Sequence, residues 1–307
     1  MAESPVVPPI RTPRKFIIEG VLPAHVVALL VGPPGVGKSS AALGWLSDIS
    51  QGLPVFAKPT VATHIVVVSC DRSEDEYYSH LDALKIPREQ FSFFDQSQSP
   101  TTIPIVVKAC ASRWPGSLIF IEGFALLVPD VNLKDYGVVA RFLLDGAALA
   151  RQYGVTILGC VHAPKEKDGQ GYADPRSQIA GSMAWSAFSN LTVVIQKKDT
   201  KDPQDPVRLV HVLTRASAGD FTLVYQKDPD SPGGAFIPYE NIVEKELLDF
   251  FLLEFDFEQN IARKEFLDYA STQNISVRAA ERWLEQQANT GRLERVKRGV
   301  YRRLRLA

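Results

Sequence analysis

Between about Phe16 and Asp228 the chain alternates short apolar runs with amphipathic stretches. The apolar runs at 26–31, 64–70, 117–122, 155–162, 191–196 and 207–214 have the length of strands and are bounded by turn residues. Helical periodicity marks 39–50, 73–84, 102–113 and 136–153. In the last of these, Val139, Phe142, Leu143, Gly146 and Leu149 fall on one face at i, i+3/i+4 spacing. Continuous apolar strands between amphipathic helices predict an α/β fold, a mainly parallel sheet with helices on both faces. Two polar segments interrupt the order. Residues 163–178 are charged and rich in Gly and Pro, which predicts an exposed, mobile loop, and 197–206 reads as a hairpin tip leading into late antiparallel strands.

From Asn241 the pattern turns helical, with amphipathic stretches at 244–255 and 262–273 and a third helix capped by Ser276 and running through Gln287. Ala280, Leu284 and Ala288 form the inner face of that third helix. Gly291 ends it, and strands at 292–296 and 300–304 flank Lys297-Arg298-Gly299. Three helices and a basic hairpin predict a small C-terminal winged helix-turn-helix domain, a module that serves DNA binding or protein contacts. Residues 1–14 hold Pro5, Pro8, Pro9 and Pro13 and read as an extended arm. The expected division is an arm at 1–14, an α/β domain at 15–238 and the C-terminal module at 239–307.

The 307 residues carry a formal net charge of −1, which by itself points neither to a nucleic-acid binder nor to an acidic shell. Its distribution changes that picture. Residues 290–307 hold seven Lys or Arg against one Glu, which favours DNA as a partner of the C-terminal module. Cys70, Cys110 and Cys160 are scattered through apolar patterns, against a disulfide framework or a zinc site. No apolar run approaches the ~18 residues of a membrane span and no leader pattern opens the chain, so the expected compartment is the cytoplasm.

Gly32-Pro33-Pro34-Gly35-Val36-Gly37-Lys38-Ser39, followed by Ser40, is a complete GxxxxGKS phosphate loop between a strand and a helix, the context that motif requires. Its glycines let successive N–H groups face an anion, and the helix N-terminus adds its dipole. Lys38 is placed to meet the β/γ-phosphates and the Ser39 hydroxyl to ligate Mg²⁺, so a nucleoside triphosphate and Mg²⁺ are the expected ligands. Glu122 ends an apolar strand and is the candidate second Mg²⁺ group, with the longer arm of Glu where Asp is more usual; the alternative is a strand-end Glu facing solvent. Asp71 is the carboxylate nearest the end of the 64–70 strand, either a catalytic base or, with Glu74 and Asp75, a first-turn acid favoured by the helix dipole. His162 also ends a strand, in position to sense the γ-phosphate and signal its loss to the 163–178 loop.

Taken in order, FIIEGVLPAHVVALLVGPPGVGKSS, HIVVVSCDRSEDEYYSHLDAL, LIFIEGFALL, VHAPK and IAGSMAWSAFSNLTVVI resemble RecA-fold ATPases of the plasmid RepA type and DnaB-like hexameric helicases over roughly residues 15–235. The resemblance implies a ring, usually a hexamer, with nucleotide at subunit interfaces and DNA in the central channel. It places Lys38, Ser39, Glu122 and His162 at the triphosphate, Mg²⁺ and sensor positions. Such proteins usually carry Glu-Asp after the second strand, where the Glu activates water; here the pair reads Cys70-Asp71. A Lys-x-Arg-x-Gly segment that reaches a neighbour's γ-phosphate aligns with Arg215-Ala216-Ser217-Ala218-Gly219, leaving Arg215 as the trans cation. Lys165, Lys167 and Arg176 in the polar loop are expected to grip the DNA backbone. In the C-terminal module, which resembles those of plasmid and phage replication proteins, Arg278, Arg282, Lys297 and Arg298 are the expected DNA contacts, or solvated charges paired with Glu281 and Glu285. The sequence therefore supports a DNA-dependent ATPase of the ring-helicase type, with a replication protein as a further partner of the C-terminal module. A weakly hydrolysing, ATP-controlled DNA-binding regulator or helicase loader is the alternative, and a filament-forming recombinase is a third.

Overall fold

The computed structural model describes residues 14–70, 72–95, 102–129, 133–163, 175, 183–198, 202, 205–228, 231, 233–238, 260–272, 277–289, 293–297 and 299–303. The chain divides into two compact units, Met1–Pro238 and Tyr239–Ala307.

In the first unit, β1 (Phe16–Ile18) and β2 (Leu22–Pro23) form a small antiparallel pair. The remaining strands are β3 (Val27–Gly32), β4 (Ile65–Ser69), β5 (Phe91–Asp95), β6 (Leu118–Glu122), β7 (Thr156–His162), β8 (Leu191–Lys197), β9 (Val207–Thr214), β10 (Phe221–Lys227) and β11 (Phe236–Pro238). Among the described residues they build a nine-stranded sheet in the order β11-β10-β9-β8-β3-β7-β6-β4-β5. The pairings from β8 through β5 are parallel, and β9, β10 and β11 continue antiparallel. The α/β, mainly parallel class read from the sequence is the class found.

Alternation along each strand feeds two cores. Ala28 and Leu30 of β3 belong to one apolar cluster, with Ala41, Leu43 and Leu46 of α1 (Lys38–Gln51) and Tyr77 and Leu81 of α2 (Glu74–Ala83). Val27, Leu29 and Val31 enter the other, with Val106 and Val107 of α3 (Ile103–Arg113), Val139, Phe142 and Leu143 of α4 (Tyr136–Tyr153) and Trp185 of α5 (Ala184–Phe188). Each fully buried Val, Leu or Phe side chain among these contributes about 1.5–3 kcal/mol. Local signals fix the helix ends. Ser73 and Glu76 form a reciprocal capping box at α2, Asp135 caps α4 at Val138 N–H, and Gly154 ends α4 with φ 65°.

Individual short strands escape the sequence pattern. β5 reads Phe-Ser-Phe-Phe-Asp at a sheet edge and has no clean alternation, while β10 and β11 are only half-buried along most of their length. What matters for function is register. Gly32 pairs with His162 and Ser69 with Glu122, so the carboxyl ends of the parallel strands meet at one edge of the sheet. In open α/β sheets that edge is where ligands bind.

The second unit contains β12 (Asn260–Ala262), α6 (Arg263–Thr272), α7 (Val277–Asn289), β13 (Leu293–Lys297) and β14 (Val300–Arg303), with sheet order β12-β14-β13. Ile261, Phe266, Ala270, Ala280, Trp283, Leu284, Leu293 and Tyr301 form its core, and the Phe266 and Trp283 rings stack at 5.2 Å. Both helices and the hairpin fall close to the expected positions. The three-residue β12 has no counterpart in the sequence pattern, because its pairing of Asn260 with Arg302 is non-local. The helix expected at 244–255 lies outside the described residues.

Candidate nucleotide site

The phosphate loop leaves β3 at Gly32 and enters α1 at Lys38. Two of its glycines take backbone angles that other residues resist: φ is 74° at Gly35 and 99° at Gly37. A Cβ at Gly35 would meet nothing within 4 Å, whereas at Gly37 it would strike the Phe236 ring at 2.6 Å. Gly37 is the N-cap of α1 and supplies no side chain, so no side-chain hydrogen bond caps the helix's positive end. Pro34 and Gly35 are exposed, Pro33, Ser39 and Ser40 half-buried, and Val36 and Lys38 buried.

Lys38 lies under the loop. Its Nζ donates to Gly32 O at 2.8 Å and Pro33 O at 3.1 Å, and sits 3.3 Å from His162 Nδ1. Burial lowers the Lys38 pKa, with the charges of Cys160 and Glu122 acting to raise it and that of Arg72 to lower it. Glu122, only 6% exposed, accepts from Ser39 Oγ on Oε1 and from Tyr77 OH on Oε2, and Arg72 Nε stands 3.8 Å from Oε2. Tyr77 is itself 2% exposed, and burial together with Glu122 pushes its phenol well above the usual value, so it remains a hydrogen-bond donor. Ser40 Oγ lies 3.0 Å from both His80 Nε2 and Gly233 O; burial and then Arg72 hold His80 below the ordinary imidazole pKa.

These groups enclose a cavity of about 400 Å³ lined by Lys38, Ser39, Arg72, Glu122, His162 and Lys227, among others. Among its described lining residues the polar site thus carries three cations and one carboxylate. That suits a polyanion with a divalent ion: Mg²⁺ takes one or two protein oxygens together with phosphates and waters. Ser39 and Glu122, already hydrogen-bonded to each other, are the groups that fit it. Among the described residues no cluster of three or more His, Cys, Asp or Glu offers an all-protein metal cage.

Behind the loop stands Arg208 of β9, 2% exposed, which donates from Nε to Val36 O at 2.9 Å and from Nη1 to Val207 O at 2.9 Å. Burial lowers its pKa and Asp205 opposes the shift. Arg208, Arg72, Tyr77, His80 and Lys227 were not identified from the sequence. One signal for Arg208 was there: in the alternating strand Val207–Thr214 it occupies an inward position with Val210 and Val212.

The structure therefore brings Gly32–Ser40, Glu122 and His162 into one site. Arg215 is elsewhere: it follows the far end of β9, roughly 23 Å along the strand from Arg208 at ~3.3 Å per residue, and donates to Ala187 O. Asp71, Lys165, Lys167, Arg176 and Arg298 lie outside the described residues. Cys70, which precedes Asp71, is half-buried beside the site, with its N–H donating to Glu122 O at 3.3 Å. Arg278 and Arg282 are four residues apart on α7, with side chains outside the described set, and Lys297 is exposed at the end of β13. Glu281 pairs with Arg263.

A sequence profile described as "AAA domain" matches residues 7–168, more than half of the chain. The chain belongs to the AAA domain family. No curated protein sequence matches it. Among solved structures, an isolated ATPase domain is similar with a TM-score of 0.56 at 13% identity, covering 70% of this chain and 85% of that one. A DnaB-like replicative helicase, described with its interactions with primase, gives 0.56 at 14% identity over 71% of this chain. The chain spans 59% of that helicase's length. This AAA domain protein is thus a RecA-fold P-loop ATPase that resembles DnaB-like helicases in fold.

Proposed function

We propose that the protein is a DNA-dependent ATPase of the ring-forming helicase or translocase type, acting in the replication of a plasmid, phage or mobile element. The observation that carries this reading is the paired phosphate loop and strand-end carboxylate, Ser39 on Glu122, at the carboxyl edge of a RecA-type sheet. In this reading Lys38 and the loop N–H groups hold the β/γ-phosphates of ATP, and Ser39 and Glu122 hold Mg²⁺. The metal supplies charge neutralisation on the phosphates; the protein's part is to position them and keep the cavity cationic. His162, within reach of Lys38 Nζ, senses the γ-phosphate and passes its loss to the segment carrying Lys165, Lys167 and Arg176. Arg215, remote from its own chain's cavity, acts on the nucleotide of a neighbouring subunit in a hexamer. The basic C-terminal unit is a winged helix that recruits DNA, or a replication partner, through Arg278, Arg282, Lys297 and Arg298.

A coupled assay on purified protein tests this: phosphate release with and without single-stranded DNA, alongside strand displacement on a forked duplex. Stimulation by DNA with unwinding is expected. No stimulation and no unwinding would leave the second reading, a slowly hydrolysing DNA-binding switch or loader. That reading rests on one observation, a thiol rather than a carboxylate at Cys70, directly beside Glu122.

A further inference from the structure

The Glu122 carboxylate is held by two partners, one on each oxygen. Its Oε2 accepts the Tyr77 hydroxyl while its Oε1 accepts Ser39, so the two oxygens are assigned to different partners. Glutamate at a strand end has one more rotatable bond than aspartate, and its terminal torsion is broad and weakly restrained. Left alone, such a carboxylate turns among several orientations and presents either oxygen to the site. Here Tyr77 removes that freedom. Its ring is buried and packs against Phe93 at 5.3 Å between centroids, and its helix α2 is set in place by the Ser73–Glu76 capping box. The hydroxyl therefore reaches Glu122 from a rigid base. Arg72, at 3.8 Å from the same Oε2 and half exposed, adds charge but not the same geometric constraint.

We propose that Tyr77 is a positioning residue for the metal-binding carboxylate: by occupying Glu122 Oε2 it aims Oε1 at the Mg²⁺ position beside Ser39. The inference rests on the reading of Ser39 and Glu122 as the Mg²⁺ groups. Partners that orient a metal ligand commonly alter metal affinity about 10–100-fold when removed. Tyr77 acts through Glu122 alone and leaves the phosphate contacts of the loop untouched.

The test uses the full chain and a fluorescent, non-hydrolysable ATP analogue, with binding measured in EDTA and across a Mg²⁺ titration. Tyr77→Phe keeps the ring and its packing and removes the hydroxyl. Affinity in EDTA should stay within about twofold of wild type, while the half-saturating Mg²⁺ concentration rises about tenfold or more. In a Glu122→Gln background the same change should add no further rise, which separates an action through Glu122 from a general loosening of the fold. Equal loss of affinity with and without Mg²⁺, an unchanged Mg²⁺ midpoint, or a full additional rise in the Glu122→Gln background would overturn the proposal. Ser39→Ala serves as the control for the underlying reading. If it leaves the Mg²⁺ midpoint unmoved, the metal assignment itself falls, and the role of Tyr77 falls with it.

Discussion

Lys38 is buried to 6% exposure with its ammonium on two loop carbonyls, an arrangement in which desolvation works against its charge. A triphosphate offers that charge a stronger partner than neutral carbonyls do. Replacing Lys38 with Ala should cut steady-state ATP turnover by about 100-fold or more, the scale of removing one preorganised electrostatic contact; turnover near wild type would refute its role. Cys70→Glu asks the complementary question. A large rise in phosphate release would mark the wild-type site as a switch, and little change would mean that another group already activates water. Three imidazoles give a pH signature of the fold. Burial holds His64 and His211, together with His80, below the usual value of 6.5. As pH falls through 6.5 the unfolded chain takes up more protons than the folded chain, so stability is full above 6.5 and declines below it. Asp48, raised by burial, works in the opposite sense but only near the carboxylate range. Melting temperature should therefore drop between pH 7.5 and 5.5, and less steeply in His211→Gln; a flat profile would contradict this. At this scale the sequence marked the residues whose placement is local, Lys38 and Ser39 above all, at the start of α1. Tyr77 was hidden because its spacing from Leu81 is that of a core face, and its bond to Glu122 exists only once β4 and β6 are in register.

Among the elements, β9 does more than extend the sheet. Its inward Arg208 ties Val36 of the phosphate loop to the antiparallel half of the molecule, and Phe236 of β11 closes over Gly37. Arg208→Met keeps much of the packing volume and removes the donor to Val36. The loop should lose definition, weakening nucleotide binding about tenfold for one charge-assisted hydrogen bond, as read by titration with a fluorescent nucleotide; unchanged affinity would reduce Arg208 to a packing role. On the other face, Gly159 of β7 lies against Phe124, where an added Cβ would come within 2.2 Å of the ring. Phe124 is fully buried and packs on Phe142 and Trp185, so it has little room to yield. Gly159→Ala should destabilise by about 1–3 kcal/mol through overpacking, visible as a lower denaturant midpoint. The long periodic helices and continuously apolar strands were legible because burial on both faces leaves an unmistakable pattern. β5, β11 and β12 were not, since three to five residues at an edge acquire their pairing from distant partners.

For the whole molecule, the near-zero net charge conceals a division between its two units. The P-loop unit carries the cavity at the phosphate loop, while the last eighteen or so residues concentrate basic side chains, of which Lys297 is exposed and Arg302 half-buried. If the C-terminal unit supplies phosphate contacts, each contributes a slope of about −0.9 to the logarithm of duplex affinity against the logarithm of salt. A chain ending at Pro238 should then bind nucleotide with unchanged affinity and bind duplex DNA with a shallower salt slope than the full chain. The difference in slopes gives the number of phosphates that the second unit neutralises. Lys297→Ala should remove about one such unit without altering nucleotide affinity, because a single exposed cation on a hairpin contributes counterion release and little else. Equal slopes for the full and shortened chains would place DNA binding wholly on the P-loop unit. The second unit's basic surface would then be a contact for a protein partner, a reading that a pull-down with isolated replication proteins would have to support by a loss of capture in the same Lys297 variant.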